Sequence, residues 1–254
     1  MALAIARAID GGSLVPLHSR RYFDPGTQHE RELRKHGFRP VNTPDELLTS
    51  SEVIILAVKP QTLPDIRPHL ENKCQGKCVV SILAGVTSDK LRETVGQGAA
   101  VLRVMPNTPL LCGRGAAVIA EPPSEDQAWL PDVLSLFTSS GMAEVLPESL
   151  INAATGLNGS SPAYFFRLAE AMARWGESQG IPYEQSLRLT VQSMDGAAAM
   201  MRESGDPPLE LLSRVTSKGG ATLAALSAFD EFGLEPMLNE ALKRCMERAK
   251  ELGN

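Results

Sequence analysis

The stretch Val53–Val58 reads "VIILAV", an unbroken apolar run. A run this short with no polar alternation marks a strand covered on both faces, and such strands belong to parallel sheets layered with helices. Similar runs return at Val79–Leu83, Ala99–Met105, Ala116–Ala120 and Ala143–Leu146, separated by helical stretches at Asp89–Val95 and Glu125–Ser140. Leu14–His18 reads as a further strand, placed at an edge because Pro16 lacks an amide donor, and Glu30–Gly37 as a polar helix end. Strand and helix in alternation require right-handed crossovers, so the expected first half is an open α/β sheet.

After Pro147 the strands stop. Glu148–Ala154, Pro162–Gln179, Tyr183–Ser204, Leu209–Val215, Ala221–Phe232 and Glu235–Leu252 all carry helical periodicity. In the second of these, Phe165, Leu168, Ala169, Met172, Ala173 and Gly176 form one apolar stripe; in the third, Val191, Met194, Ala197, Ala198 and Met201 do the same. So many helices with no sheet to cover imply a bundle packed on itself or on a second subunit. The expected division is therefore a sheet domain over residues 1–147 and a helical domain over 148–254.

With 254 residues and 43% hydrophobic content the chain can bury a large core. Its formal charge of −5, from 25 basic and 30 acidic residues, offers no basic surplus for nucleic acid or an anionic membrane. Small molecules and copies of itself are the expected partners. Cys74, Cys78, Cys112 and Cys245 are too scattered for a disulfide framework and lack the second ligand pair of a zinc site, so no metal is expected. No apolar run approaches the ~20 residues of a spanning helix and no signal-peptide cleavage site is evident, so a cytoplasmic protein is the expectation.

Ligands of such sheets bind beyond the carboxyl ends of the strands. Three apolar runs break there into turn chemistry: Ala57-Val58-Lys59-Pro60-Gln61, Ser81-Ile82-Leu83-Ala84-Gly85-Val86 and Arg103-Val104-Met105-Pro106-Asn107-Thr108-Pro109. The prolines remove backbone donors and fix the chain, leaving Lys59, Asn107 and Thr108 as polar groups at the tips, while Gly85 permits a close approach. In the helical half, Gly156-Leu157-Asn158-Gly159-Ser160-Ser161-Pro162 precedes a helix; capping accounts for Ser161 and Pro162 but not for Gly156, Asn158 and Gly159. Finally, Thr216-Ser217-Lys218-Gly219-Gly220-Ala221-Thr222 runs into the helix from Ala221. Bare glycine backbone ahead of a helix N-terminus suits a carboxylate or phosphate, whose charge meets unpaired amides and the positive end of the helix dipole.

Taken together, "AVKPQ" from Ala57, "SILAGV" from Ser81, "RVMPNTP" from Arg103, "GLNGSSPAY" from Gly156 and "VTSKGGATLAAL" from Val215 resemble the pyrroline-5-carboxylate reductases, over nearly the whole chain. The resemblance implies an N-terminal Rossmann domain for NAD(P)H and a helical domain that builds a dimer. It implies reduction of 1-pyrroline-5-carboxylate to L-proline, with the active site between one subunit's cofactor domain and the dimer's helical domains. Ser217, Gly219, Gly220 and Ala221 would hold the substrate carboxylate, and Thr222 would serve the ring nitrogen as the catalytic hydroxyl. Ser19, Arg20, Ala57, Val58, Lys59, Pro60, Ala84, Gly85 and Asn107 would bind the cofactor. The β-hydroxyacid dehydrogenases share this architecture but use a lysine acid near the start of the interdomain helix, and no lysine lies between Lys90 and Lys218.

The chain departs from that pattern in three places. Family members open with a strand and a G-x-G-x-x-A/G loop that receives the pyrophosphate. Met1–Ile9 reads instead as the helix that follows such a loop. Two expectations follow: a start upstream of Met1, or a short form with a gap in its sheet and weakened cofactor binding, acting as a non-catalytic homologue through its helices. Next, His18-Ser19-Arg20-Arg21 stands where an acid would select NAD, so the arginines favour the 2′-phosphate of NADPH over NADH, with Asp24 as a competing acid. Lastly, Lys218 stands where the family usually has proline, and Ser161 where it usually has glycine.

Overall fold

A computed structural model describes residues 1–11, 15–26 and 28–253. The chain forms two compact units, Met1–Pro162 with Leu242–Asn254, and Ala163–Ala241.

The first unit opens with α1 (Ala2–Gly11), whose small and branched residues Ala4, Ile5, Ala6, Ala8 and Ile9 are all buried. Next come β1 (Arg21–Tyr22), α2 (Glu30–Lys35), β2 (Arg39–Pro40), α3 (Pro44–Thr49), β3 (Val53–Leu56), α4 (Leu63–Leu70), β4 (Cys78–Ser81), α5 (Ser88–Val95) and β5 (Ala100–Met105). β6 (Gly115–Ala120), α6 (Leu130–Thr138), β7 (Gly141–Leu146), α7 (Ile151–Ala154) and a π-helical turn (Thr155–Gly159) complete the run. The strand expected at Leu14–His18 is absent from its described part: Leu14 lies outside the described residues, and Leu17–Ser19 form a 3-10 turn. Pro16 has no amide for a ladder, so pairing begins only after it, at Arg21.

Five strands pair in the order β3-β4-β5-β6-β7. β3, β4 and β5 are mutually parallel, with Leu56 opposite Ser81 and Ser81 opposite Arg103, so their carboxyl ends lie side by side. β6 turns antiparallel to β5, and β7 runs parallel to β6. β1 and β2 form a separate parallel ladder, Arg21 opposite Arg39 and Tyr22 opposite Pro40. Both faces of the larger sheet are covered, as the apolar runs require. Ala4, Ile5 and Ile9 of α1 and Phe137 of α6 pack with Val80, Leu102, Val104 and Ile119 on one face. Leu91 and Val95 of α5 pack with Ile54, Leu56, Val79 and Val101 on the other. Full burial of each of these Ile, Leu, Val and Phe side chains contributes about 1.5–3 kcal/mol. α7 and the π turn stay with this unit, where Ile151 and Ala154 pack on Met105, Val118 and Ala120.

The second unit holds α8 (Ser161–Ser178) from Ala163 on, α9 (Tyr183–Ser204), α10 (Pro208–Val215), α11 (Ala221–Glu231) and the start of α12 (Leu234–Leu252). Of its apolar side chains only Ala169, Ala173 and Leu211 are buried. Phe166 is 69% exposed, Trp175 66%, Leu209 80% and Phe232 85%. Three buried apolar residues cannot offset the entropy of ordering five helices, and this unit leaves many large apolar side chains exposed. Among the described residues no helix is long and apolar enough to cross a membrane.

Candidate active site

The site residues fall into a sheet edge in the first unit and a turn in the second. At the sheet edge, the tip of β3 presents exposed Val58 and Lys59 flanked by half-buried Ala57 and Pro60, and Pro60 opens a 3-10 turn. Beside it, the tip of β4 runs through half-buried Ala84 into buried Gly85. Gly85 has φ +79°, and a Cβ there would overlap the Ala249 carbonyl oxygen and lie 2.6 Å from the Gly253 nitrogen. The close approach that Gly85 permits is therefore made by the end of α12, not by a ligand as expected. Lys90 Nζ holds that end by donating to the Gly253 carbonyl at 2.6 Å.

At the tip of β5, Asn107 is 5% exposed and both ends of its carboxamide are engaged. Nδ2 donates to the Asn158 carbonyl at 3.1 Å, and Oδ1 accepts from the Ala116 amide at 2.8 Å. Asn158, inside the π turn, returns its own Nδ2 to the carbonyls of Met105 at 2.7 Å and Ala116 at 3.1 Å. This cross-link of β5, β6 and the π turn corrects the expectation that Asn107 is a free tip ligand; its amide is consumed in holding the tip. It also accounts for Asn158, which capping alone left unexplained, and Asn158 Oδ1 remains buried without a partner. π turns recur at functional sites because the extra residue redirects backbone groups. Deeper in β5, Arg103 is 2% exposed, with Nη1 3.3 Å from Glu148 Oε1 and Nη2 donating to Asn152 Oδ1 at 2.7 Å. Burial pulls its guanidinium below the ordinary arginine range, and the Glu148 carboxylate opposes that shift.

The residues expected at the adenosine end are rearranged. Ser19 is exposed but precedes β1, and Arg20 turns inward at 5% exposure. Arg20 Nε donates to the Val15 carbonyl, Nη1 to Asp10 Oδ1 and the His36 carbonyl, and Nη2 to the Ile9 carbonyl. A guanidinium with these commitments does not reach a 2′-phosphate. With β1 at Arg21–Tyr22, the arginines stand at its foot rather than at its carboxyl end, which runs into Phe23-Asp24-Pro25-Gly26. Exposed Asp24 forms an Asx turn there, its Oδ1 accepting from the Gly26 amide at 2.9 Å. Asp-Pro-Gly directly after an aromatic pair was the sequence signal for this strand end.

In the second unit, Gly219 has φ +75° and the Gly220 amide donates to the Ser217 carbonyl at 2.9 Å. Ser217–Gly220 is thus a type II turn, whose third position demands glycine. Gly220 then caps α11, and the first helical bond runs from Ala224 to the Gly220 carbonyl, so the amides of Ala221, Thr222 and Leu223 precede the ladder. Ser217, Lys218, Gly219 and Thr222 are exposed, and a Cβ on Gly220 would come within 2.5 Å of Ser217 Oγ. The turn places a serine hydroxyl, bare backbone and first-turn amides of one helix together, with the Thr222 hydroxyl on the same turn.

The donor set at the sheet edge fits a dinucleotide. Val58, Ala57 and Ala84 offer apolar surface and Lys59 a cation; Asp24 stands at a strand end where such ligands place a ribose. α1 packs along the segment Thr108–Cys112 that follows β5. Among the described residues, no group of three or more His, Cys, Asp or Glu side chains could hold a metal ion.

Two family models match the chain. Residues 148–252 match the family described as pyrroline-5-carboxylate reductase dimerisation, and residues 22–85 match NADP oxidoreductase, coenzyme F420-dependent. A pyrroline-5-carboxylate reductase from Methanosarcina acetivorans is 37% identical over 86% of this chain and 82% of its own length. The Escherichia coli enzyme of that name is 35% identical over 85% of this chain and 81% of its own length. The crystal structure of Plasmodium falciparum pyrroline carboxylate reductase with NADP bound superposes with a TM-score of 0.86 at 25% identity, covering 100% of this chain and 93% of that one. This chain belongs to the pyrroline-5-carboxylate reductase family.

Proposed function

We propose that the protein reduces 1-pyrroline-5-carboxylate to L-proline with NADPH, NADH being the alternative reductant, and that it does so as a cytoplasmic homodimer. The observation that carries this reading is the turn and helix start at Ser217–Thr222, which matches the chemistry of a small cyclic imine bearing a carboxylate. Ser217 Oγ and the backbone from Gly219 to Ala221 receive the carboxylate, with the Gly220 amide held in the turn and the Ala221 amide ahead of the helical ladder; bare backbone lets the anion approach and the helix dipole favours its charge. Thr222 hydrogen-bonds the ring nitrogen, its hydroxyl able to donate or accept as the proton count on that nitrogen changes. NADPH, when bound, supplies the hydride for the C=N carbon. Ala57, Val58, Lys59, Pro60 and Ala84 orient the dinucleotide at the sheet edge, while Asn107 and Gly85 keep the strand tips in place. No strong acid is needed when the imine arrives protonated, so positioning and preorganised dipoles carry most of the rate.

Residues 1–147 serve as the cofactor domain and 148–254 as the dimerisation and substrate domain, although 148–162 and the end of α12 belong to the compact unit of the sheet. The exposed apolar faces of α8–α12 support pairing with a second copy, and the NADP in the Plasmodium relative supports the choice of reductant. Thr222→Ala is expected to lower turnover about a hundredfold, in the range typical of a lost proton-handling group, with NADPH affinity unchanged; unchanged turnover removes Thr222 from the chemistry. A second reading, a non-catalytic homologue acting through its helices, is favoured by one observation: among the described residues the β1–β2 ladder is not hydrogen-bonded to the five-stranded sheet. Proline formation by the purified chain separates the two.

A further inference from the structure

Among the described residues the β1–β2 ladder spans two residues on each strand and shares no rung with the larger sheet, so contacts outside the larger sheet's ladder help set where Asp24 sits. Arg20 joins the ladder to α1, alongside the packing of Val15 and Phe38 on the sheet core. Its backbone carbonyl accepts from the Arg39 amide at 3.1 Å, the first rung of the ladder. Its guanidinium reaches the last turn of α1 twice, at the Ile9 carbonyl (3.3 Å) and Asp10 Oδ1 (2.7 Å), then the Val15 carbonyl (3.1 Å) and the His36 carbonyl behind α2 (2.8 Å). The other Asp10 oxygen lies 3.0 Å from His36 Nδ1. A buried arginine with four acceptors from three segments is a rigid fork, and its charge suits a helix C-terminus.

We infer that Arg20, held by Asp10 with His36, is a positioning residue for the adenosine half of the cofactor: it fixes β1 on α1 and thereby places Asp24, without itself touching the nucleotide. The inference rests on the dinucleotide reading of the sheet edge. Arg20 stands at the foot of β1 and Asp24 beyond its end, so a shift at the fork moves the ribose site while the tips of β3 to β5, tied to one another by their own ladder, stay in place.

The test compares three probes on the purified protein by calorimetry: ADP-ribose, 2′-phospho-ADP-ribose and reduced nicotinamide mononucleotide. In Asp10→Asn and Arg20→Lys, both adenosine probes should weaken by the same factor, on the order of tenfold for a lost charged hydrogen bond, while the nicotinamide probe binds as in the parent. Loss confined to 2′-phospho-ADP-ribose in Arg20→Lys would mean direct phosphate contact and overturn the inference, as would unchanged affinities in both variants or equal weakening of all three probes. If Arg20→Lys does not fold, Asp10→Asn carries the test, because it keeps the shape and one acceptor of the carboxylate. A parent protein that binds neither adenosine probe overturns the dinucleotide reading itself, and the inference with it.

Discussion

Gly85→Ala tests whether that glycine serves the packing of the chain's own C-terminal end. Two penalties apply. The backbone at φ +79° disfavours any side chain, costing about 1–2 kcal/mol for an L-residue in the left-handed region. The new methyl also overlaps the Ala249 carbonyl and lies 2.6 Å from the Gly253 nitrogen, both backbone atoms that cannot rotate away. Relieving such an overlap costs a further ~1–3 kcal/mol and loosens the end of α12. Gly113→Ala is the matched control, with φ +69° and nothing within 4 Å of its Cβ, so it carries the first penalty alone. At about 2–4 °C per kcal/mol for a chain of this size, the melting temperature should fall roughly 2–8 °C for Gly113→Ala and roughly 4–20 °C for Gly85→Ala, with Gly85→Ala lower by at least a few degrees. Hydrogen exchange should rise at Lys250–Gly253 in Gly85→Ala only. Equal losses in the two variants would show that the end of α12 does not occupy the space over Gly85.

Other residues give further expectations. Asp24→Asn removes a carboxylate from the ribose end, and at ~1 kcal/mol per unit charge pair near 4 Å in water the NADPH-to-NADH affinity ratio should rise roughly 5–30-fold; an unchanged ratio would place the 2′-position elsewhere. Lys218 occupies the second position of the type II turn, where proline is preorganised, and the turn's bond is donated by Gly220. Lys218→Pro should therefore stabilise by ~0.4–1 kcal/mol in urea melts, and destabilisation would refute the turn assignment. Burial pushes the Cys78 thiol up to about 12, and Cys74 is likewise raised, whereas Cys112 is exposed. A thiol reagent at neutral pH should label Cys112 in the native state and reach Cys74 and Cys78 only on unfolding; equal rates would contradict the buried placement.

What could be read from sequence follows how strongly each feature is set by local chemistry. The runs at Val53, Val79, Ala99, Ala116 and Ala143 became β3 to β7 within about two residues, and Tyr183–Ser204 is α9 as expected, because unbroken apolar runs and long helical periods are decided by burial on a regular lattice. α3 and α4 were not expected: each is short and proline-bearing, with Pro68 inside α4, and such helices depend on caps such as Thr43, which accepts from the Glu46 amide. The turn before α11 was legible because a Gly-Gly pair before a helix has few alternatives. The roles of Arg20, Gly85 and Asn107 were not, for one shared reason. Polarity or bareness near a strand end looks the same whether the partner is a ligand or another part of the chain. Only the fold brings Asp10 to Arg20, Gly253 to Gly85 and Asn158 to Asn107, over separations that no local pattern encodes.

The central claim is that this chain reduces a carboxylate-bearing cyclic imine with a nicotinamide dinucleotide, and the direct measurement is proline formation by the purified protein supplied with NADPH and 1-pyrroline-5-carboxylate. The account predicts saturable NADPH oxidation that requires the imine and yields proline in equal amount. A folded dimer that oxidises no NADPH and forms no proline would contradict it and leave the helical unit as the working part of the molecule.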